Sequence, residues 1–396
     1  MKKFNFLFLL VLFTVFIYTP QIIILGYTLK TIFIFPLISL YYLISNNFTI
    51  RIPRYLILYY WIILIFSVFI FIRNGYVETF IIKQLVLFPF IYITCQFFLD
   101  YGFSYNFEKL VYFITYVLLI NSAVILFFSI FSDLNPILHS FINITEKQYK
   151  YIYNSLVIRH SGISVSGFSY LGFYMSCLYI ITFFYFIKKK FSIYFFIISI
   201  FVFTSSFFVA RTSVIILFVF FLLYLVLTSF TNKKGIFGIL LSVSLIFVFI
   251  NQISNINIFA FQSIDRSLDF IFSSVETGEF DNKSLQDLSY ERSSFQLDNY
   301  LLGDRNFGRD LGLISDIGYI SFLKGSGVLG LIIFLFHFWY PLIRQFFTLN
   351  FISPVFFVLT TMILFNLKDL VFLEHGYIQA YCIAISLQYC KHENEN

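Results

Sequence analysis

Charged residues are scarce in this chain. Asp, Glu, Lys and Arg make up only 12% of its 396 residues, too few to cover a water-soluble domain of that length. A soluble protein is excluded. Cysteine is thin as well: Cys95, Cys177, Cys382 and Cys390 fall in or at the end of apolar stretches with no C-x-x-C spacing. They read as packing residues and imply neither a disulfide framework nor a metal site. The five histidines, His139, His160, His337, His375 and His392, are scattered without an H-E-x-x-H, and no G-x-x-x-x-G-K-[ST] loop is present. Zinc-hydrolase and nucleotide-hydrolase signatures are therefore missing, and no cofactor or metal is expected.

Apolar and aromatic residues fill the space instead. Hydrophobic residues make up 60%, with 60 Phe and 29 Tyr, arranged in continuous runs near the ~20 residues that a hydrocarbon core needs per helix. Barrel strands would alternate over about ten residues. The expected fold class is an all-α polytopic membrane protein of about 12 transmembrane helices with a partly helical outer cap. The spans are read as 4–19, 31–45, 55–72, 80–99, 110–131, 162–187, 191–209, 212–231, 235–253, 313–339, 350–367 and 371–390. The opening "MKKFNFLFLLVLF" has no small-residue cleavage site after it and reads as the first anchor. No repeat relates the first six spans to the second six.

Lys and Arg in the short connections orient the bundle. With Lys2 and Lys3 cytoplasmic, Arg51, Arg54, Lys109, Lys188 to Lys190, Lys233, Lys234, Arg344 and Lys391 share that side. Both termini are then cytoplasmic, and the segments 132–161 and 254–312 lie outside. The second carries ten acids and five bases, a local −5 within a net +6. The basic balance thus follows topology, and nucleic acid is not expected as a partner.

Polar residues near the outer side are the functional candidates. Arg211, in "FFVARTSVIILF", stands between two apolar runs at a tight outer hairpin, where it either faces a partner or watery cavity or anchors in headgroups. Arg159 and His160 precede a stretch in which Gly162, Gly167 and Gly172 permit irregular backbone or close helix contact. In 254–312, Leu285, Leu288, Arg292 and Phe295 make one stripe of an amphipathic helix, and Arg266, Arg305 and Arg309 add cations. Asp316 is either the N-terminal cap of a late span, with Ser315, or a reactive carboxylate. Lys368 lies between the last two spans as an anchor or a ligand contact.

"GSGVLG", Gly325 to Gly330, has dinucleotide-fingerprint spacing, but its flanks are apolar and no acid stands in 344–350. The cofactor reading fails. These glycines instead allow tight helix packing or a bend.

The outer "R-x-S-G" leading into a span, the "ARTS" hairpin, the "ER-S" loop, "LLGDRNFG" and "SDIGYISFLKGSGVLGLIIFLF" together resemble the O-antigen polymerase (Wzy) and O-antigen ligase superfamily. The resemblance covers roughly 155–340. It implies an inner-membrane enzyme that joins undecaprenyl-diphosphate-linked oligosaccharide units at the outer face, beside a chain-length regulator and a flippase. It implies Arg211 and Arg292 at the donor diphosphate, Arg159, His160, Arg266, Arg305 and Lys368 in substrate binding, and Asp316 as general base or acceptor orienter. Asp where the ligase-like pattern has His favours a polymerase. The ligase, which transfers glycan to lipid A core, and a lipid-linked oligosaccharide flippase are the alternatives.

Overall fold

A computed structural model describes residues 6–24, 27–74, 79–144, 149, 160–164, 168–188, 193–228, 244, 299–303, 318–347, 353–365 and 375–387. The chain is mostly helical. Its described helices are α1 (Phe6–Tyr18), α2 (Ile34–Ser45), α3 (Arg54–Asn74), α4 (Thr79–Phe97), α5 (Phe107–Ile130) and α6 (Asn135–Phe141), followed by α7 (Phe168–Lys188), α8 (Ile193–Val209), α9 (Arg211–Thr228), α10 (Gly318–Phe347), α11 (Pro354–Phe365) and α12 (His375–Ser386). All but α6, which lies in the expected outer segment 132–161, fall on the expected apolar stretches; of the stretch 235–253 only residue 244 is described.

Among the described residues, four helical stretches are long and apolar enough to cross a membrane: Arg54–Arg73, Gln84–Gly102, Phe107–Ile130 and Leu323–Arg344. α1, α2 and α11 are shorter apolar helices. At 1.5 Å per residue, α1 spans about 20 Å and α2 about 18 Å, less than the ~30 Å of a hydrocarbon core.

Among the described residues, one hairpin departs from the all-helical expectation. Between α1 and α2 the chain forms an antiparallel hairpin, β1 (Gln21–Ile24) and β2 (Tyr27–Lys30). β1 is extended on its open edge by the chain after α6: Ile22 bridges to Ile142, and the Asn143 N–H donates to the Gln21 carbonyl at 2.8 Å. That contact gives partners to edge groups that an apolar environment would leave unpaired. Alternation is too short over four residues to be legible in the sequence.

The core runs through α7 and α12. Every residue from Leu171 to Tyr185, and from Gly376 to Leu387, is buried. A helix apolar all round demands neighbours all round, and α7 has them in α5, α8, α9, α11 and α12. The outer helices show the inverse. Ile57, Leu58, Trp61, Ile65 and Ile72 on α3, and Ile332, Trp339 and Ile343 on α10, are large, apolar and exposed. A face of that composition suits lipid rather than water.

Two prolines sit inside these helices, and each frees a carbonyl one turn earlier because proline has no N–H to donate. Pro89 in α4 frees the Leu85 carbonyl, which accepts from the Tyr60 hydroxyl of α3 at 3.0 Å. Pro341 in α10 frees the His337 carbonyl, which accepts from the Tyr381 hydroxyl of α12 at 2.7 Å. Tyrosine thus supplies from a neighbouring helix the donor that the local backbone lacks, and it ties the helices together at the prolines. The three described cysteines, Cys95, Cys177 and Cys382, are buried and free.

Candidate functional site

α3, α5 and α8 all finish at one end of the bundle, and two non-helical segments are inserted there. The first is 160–164, whose described polar residues are all buried: His160 and Ser161 between α6 and the end of α8, Ser164 beyond them. The His160 N–H donates to the Phe208 carbonyl of α8 at 2.9 Å. Its Nδ1 accepts from the Gly162 N–H at 2.9 Å, so Nδ1 is unprotonated and Nε2 carries the proton. Nε2 then donates to Oδ1 of Asn135, itself buried at the start of α6, at 3.0 Å. Below this, Oδ1 of Asn121 in α5 accepts from the Ile163 N–H at 2.9 Å.

Gly162 is required here. Its φ is +59°, and a Cβ would run into the Asn121 side chain. The His160 ring lies between two others, Phe128 at 6.0 Å and His139 at 6.2 Å, both nearly parallel to it. Burial, reinforced by the neighbouring His139, holds the His160 imidazole well below its usual range, so it is neutral.

The second insertion is 299–303, which docks on α10. That helix is broken at Gly327, with φ 66° and ψ −172°. Backbone in that region is essentially restricted to glycine. The break releases N–H groups on its far side, and the loop supplies acceptors: Val328 N–H to the Tyr300 carbonyl at 2.9 Å, Leu329 N–H to the Leu301 carbonyl at 3.2 Å. Gly303, at φ 73°, lies against the same break, where a Cβ would come within 2.6 Å of the Lys324 carbonyl and 2.7 Å of the Gly327 nitrogen. Two glycines therefore meet backbone to backbone. Arg73, at the end of α3, fastens the loop, its Nη1 donating to the Leu302 carbonyl at 2.6 Å and its Nη2 to the Gly303 carbonyl at 2.8 Å.

The glycines of "GSGVLG" thus do more than pack. Gly327 ends one helical segment and starts another, and the bend expected there is a break.

α8 and α9 are separated by Ala210 alone. Arg211 is the first residue of α9, where the helix dipole favours an anion. The turn is stitched by Ser213, whose hydroxyl donates to the Ala210 carbonyl at 2.6 Å. On α7, Gly172 lies so close to Ser213 that a Cβ would meet its Cβ at 2.8 Å. The close helix contact expected at Gly172 is therefore made with α9.

Compared with protein-family models, curated proteins and solved structures, the chain matches none.

Of the expected site residues, His160 and the backbone of Arg211 are described, and the structure brings them to one corner through the bond to Phe208, three residues before Arg211. Asp316, Arg292, Arg159, Arg266, Arg305 and Lys368 lie outside the described residues. His160 was expected to contact substrate, but both its ring nitrogens are engaged by Gly162 and Asn135. Two further cations stand at this end without having been singled out. Arg73 reads in sequence only as a turn residue, although a lone Arg closing a long apolar run carries the same signal as Arg211. Lys324, part-buried one turn before the break, is the only Lys or Arg inside the apolar stretch 318–340.

Proposed function

We propose that the chain is a membrane glycosyltransferase of O-antigen polymerase type, joining undecaprenyl-diphosphate-linked oligosaccharide units at the outer face of a bacterial inner membrane. In this reading about twelve spans carry an outer cap formed by 254–312, and both termini are cytoplasmic. The carrying observation is the break at Gly327, which lies inside the membrane-competent stretch Leu323–Arg344. Irregular backbone at membrane depth is tolerated where it is buried in protein or lines a cavity, so it marks where a bundle is built for something other than spanning.

The roles follow from the chemistry. The bond between the sugar anomeric carbon and the diphosphate oxygen breaks, and its electron pair stays on the diphosphate. The acceptor hydroxyl oxygen forms the new glycosidic bond, and its proton passes to Asp316. Arg211 and Arg292 stabilise the charge on the departing diphosphate, because the guanidinium fork pairs bidentately and stays charged. Arg159, Arg266, Arg305 and Lys368 hold the second lipid diphosphate and glycan. His160 positions the inserted loop beside the start of α9, and Arg73 does the same for the loop on α10.

Reconstitution with a defined undecaprenyl-diphosphate oligosaccharide tests this. A ladder of products is expected, lost in Arg211→Ala and Asp316→Ala with the protein still inserted. Transfer that stops after one addition to a lipid A core acceptor would identify a ligase. The broken helix also favours a second reading, because transporters bind substrate at discontinuous helices. Translocation of a labelled lipid-linked oligosaccharide without chain growth would replace the polymerase with a flippase.

A further inference from the structure

At the end of the bundle opposite the two inserted loops, a cavity of about 580 Å³ opens between α1 and the start of α5. This falls within the usual size range of ligand sites. Its wall is graded. Lys109, Tyr112, Phe113 and Tyr116 all line it, at positions i, i+3, i+4 and i+7 of α5, which form one stripe of a helix. Lys109 lies in the first turn, Tyr112 and Tyr116 follow at 43% and 45% exposure, and Phe6 of α1 closes the apolar side, 5.0 Å from the Phe113 ring.

The rim before α5 is held in an unusual shape. α4 runs into a π-helical turn, Phe98–Gly102, and Ser104, which lines the cavity, has φ 53°. Glu108, the chain neighbour of Lys109, does not line the cavity. Among the described lining residues Lys109 is the one charged group, followed along the stripe by the two tyrosines and then by hydrocarbon.

That order fits an amphiphile with an anionic head. The same α1 turn exposes Phe6, Leu7, Phe8 and Val11, so the mouth opens beside a lipid-facing surface rather than into water. We propose that this cavity binds one anionic phospholipid of the adjacent leaflet, with its phosphodiester at Lys109 and Ser104. Its glycerol region meets the Tyr112 and Tyr116 hydroxyls, and one acyl chain lies along Phe6 and Phe113. The site is separate from the proposed reaction centre and does not depend on it.

Native mass spectrometry of the full chain, released from micelles doped with phosphatidylglycerol or phosphatidylcholine of matched chains, reads the tightest-bound lipid. Phosphatidylglycerol is expected to be retained about fivefold better, the value of one cation beside an anionic headgroup. Lys109→Gln should abolish that preference and Lys109→Arg should keep it; Lys109 is exposed, so neither should disturb folding. Equal retention of the two lipids by the unaltered protein, or an unchanged preference in Lys109→Gln, would overturn the proposal. Displacement of the lipid by millimolar inorganic phosphate would also overturn it, by revealing a free-anion site.

Discussion

The two inserted loops solve one problem by different means. Each brings irregular backbone into an apolar bundle, where an unpaired N–H or C=O is costly. The 160–164 loop is met by side chains: Asn121 takes the Ile163 N–H, Asn135 takes the His160 ring, and the ring takes the Gly162 N–H. The 299–303 loop is met by backbone, through carbonyls that accept from Val328 and Leu329 where α10 is broken, with Arg73 added across the far side. Side-chain pairing can be weakened one group at a time and responds to protons. Backbone pairing that depends on two glycines in close contact has no side chain to adjust, so it is abrupt in its response to substitution and indifferent to pH.

This contrast can be broken in order of expected size. Gly327→Ala should be the most damaging single change, because it forces a Cβ into the Leu301 carbonyl at a φ of 66°. Strain and overpacking together predict a loss of about 3–5 kcal/mol, read as a lowered unfolding midpoint in mixed micelles. A near-neutral Gly327→Ala would remove the backbone-docking account. Pairing it with Gly303→Ala should cost clearly less than the sum, since both changes destroy one contact.

Arg73→Ala comes next. It withdraws two charged donors from the Leu302 and Gly303 carbonyls and should cost about 2–3 kcal/mol. Arg73→Lys should recover only part, because an ammonium cannot reproduce the fork. Full recovery by lysine would mean that charge, and not geometry, holds the loop.

Asn121→Ala should cost about 1–3 kcal/mol by leaving the Ile163 N–H buried without its acceptor. Asn121→Leu, which keeps most of the volume and removes the acceptor, should cost about as much as alanine. Recovery of stability by leucine would show that Asn121 acts through packing.

The smallest effect near neutrality is the pH dependence. The His160 imidazole is held below its ordinary value of 6.5 in the folded chain, so the unfolded chain binds the extra proton first. Its stabilising contribution is complete above pH 6.5 and is lost progressively as the pH falls below that value. Thermal melts of the unaltered protein should steepen in that acid window, and His160→Gln should flatten the slope. The Gly327→Ala penalty should be the same at both ends of the window.

Much of the helical layout was legible because long apolar runs have few alternatives in lipid. Arg211 was placed at a tight turn from its two flanking runs, and Ala210 is indeed all that separates α8 from α9. Gly172 was read as a close-contact residue, which its approach to Ser213 explains. The β1–β2 hairpin was not legible, since four-residue strands leave no periodicity. Nor was the role of Arg73: its partners are carbonyls more than 220 positions away, and carbonyls carry no sequence signature. The inward engagement of His160 escaped for a related reason, as its partners are a neighbouring N–H and an amide from α6.

Composition by itself determined the helical class and the approximate placement of helices compatible with a membrane, because apolar area and backbone hydrogen bonding allow little else for such a chain. It also placed the glycines where the backbone would be irregular. Only the tertiary structure decided what that irregularity is for. Gly327 meets Gly303, Tyr60 and Tyr381 meet the carbonyls freed by Pro89 and Pro341, and Asn121 meets Ile163. In each case the deciding partner is a backbone group or a distant side chain, selected by how the helices pack rather than by what stands next to it in the chain.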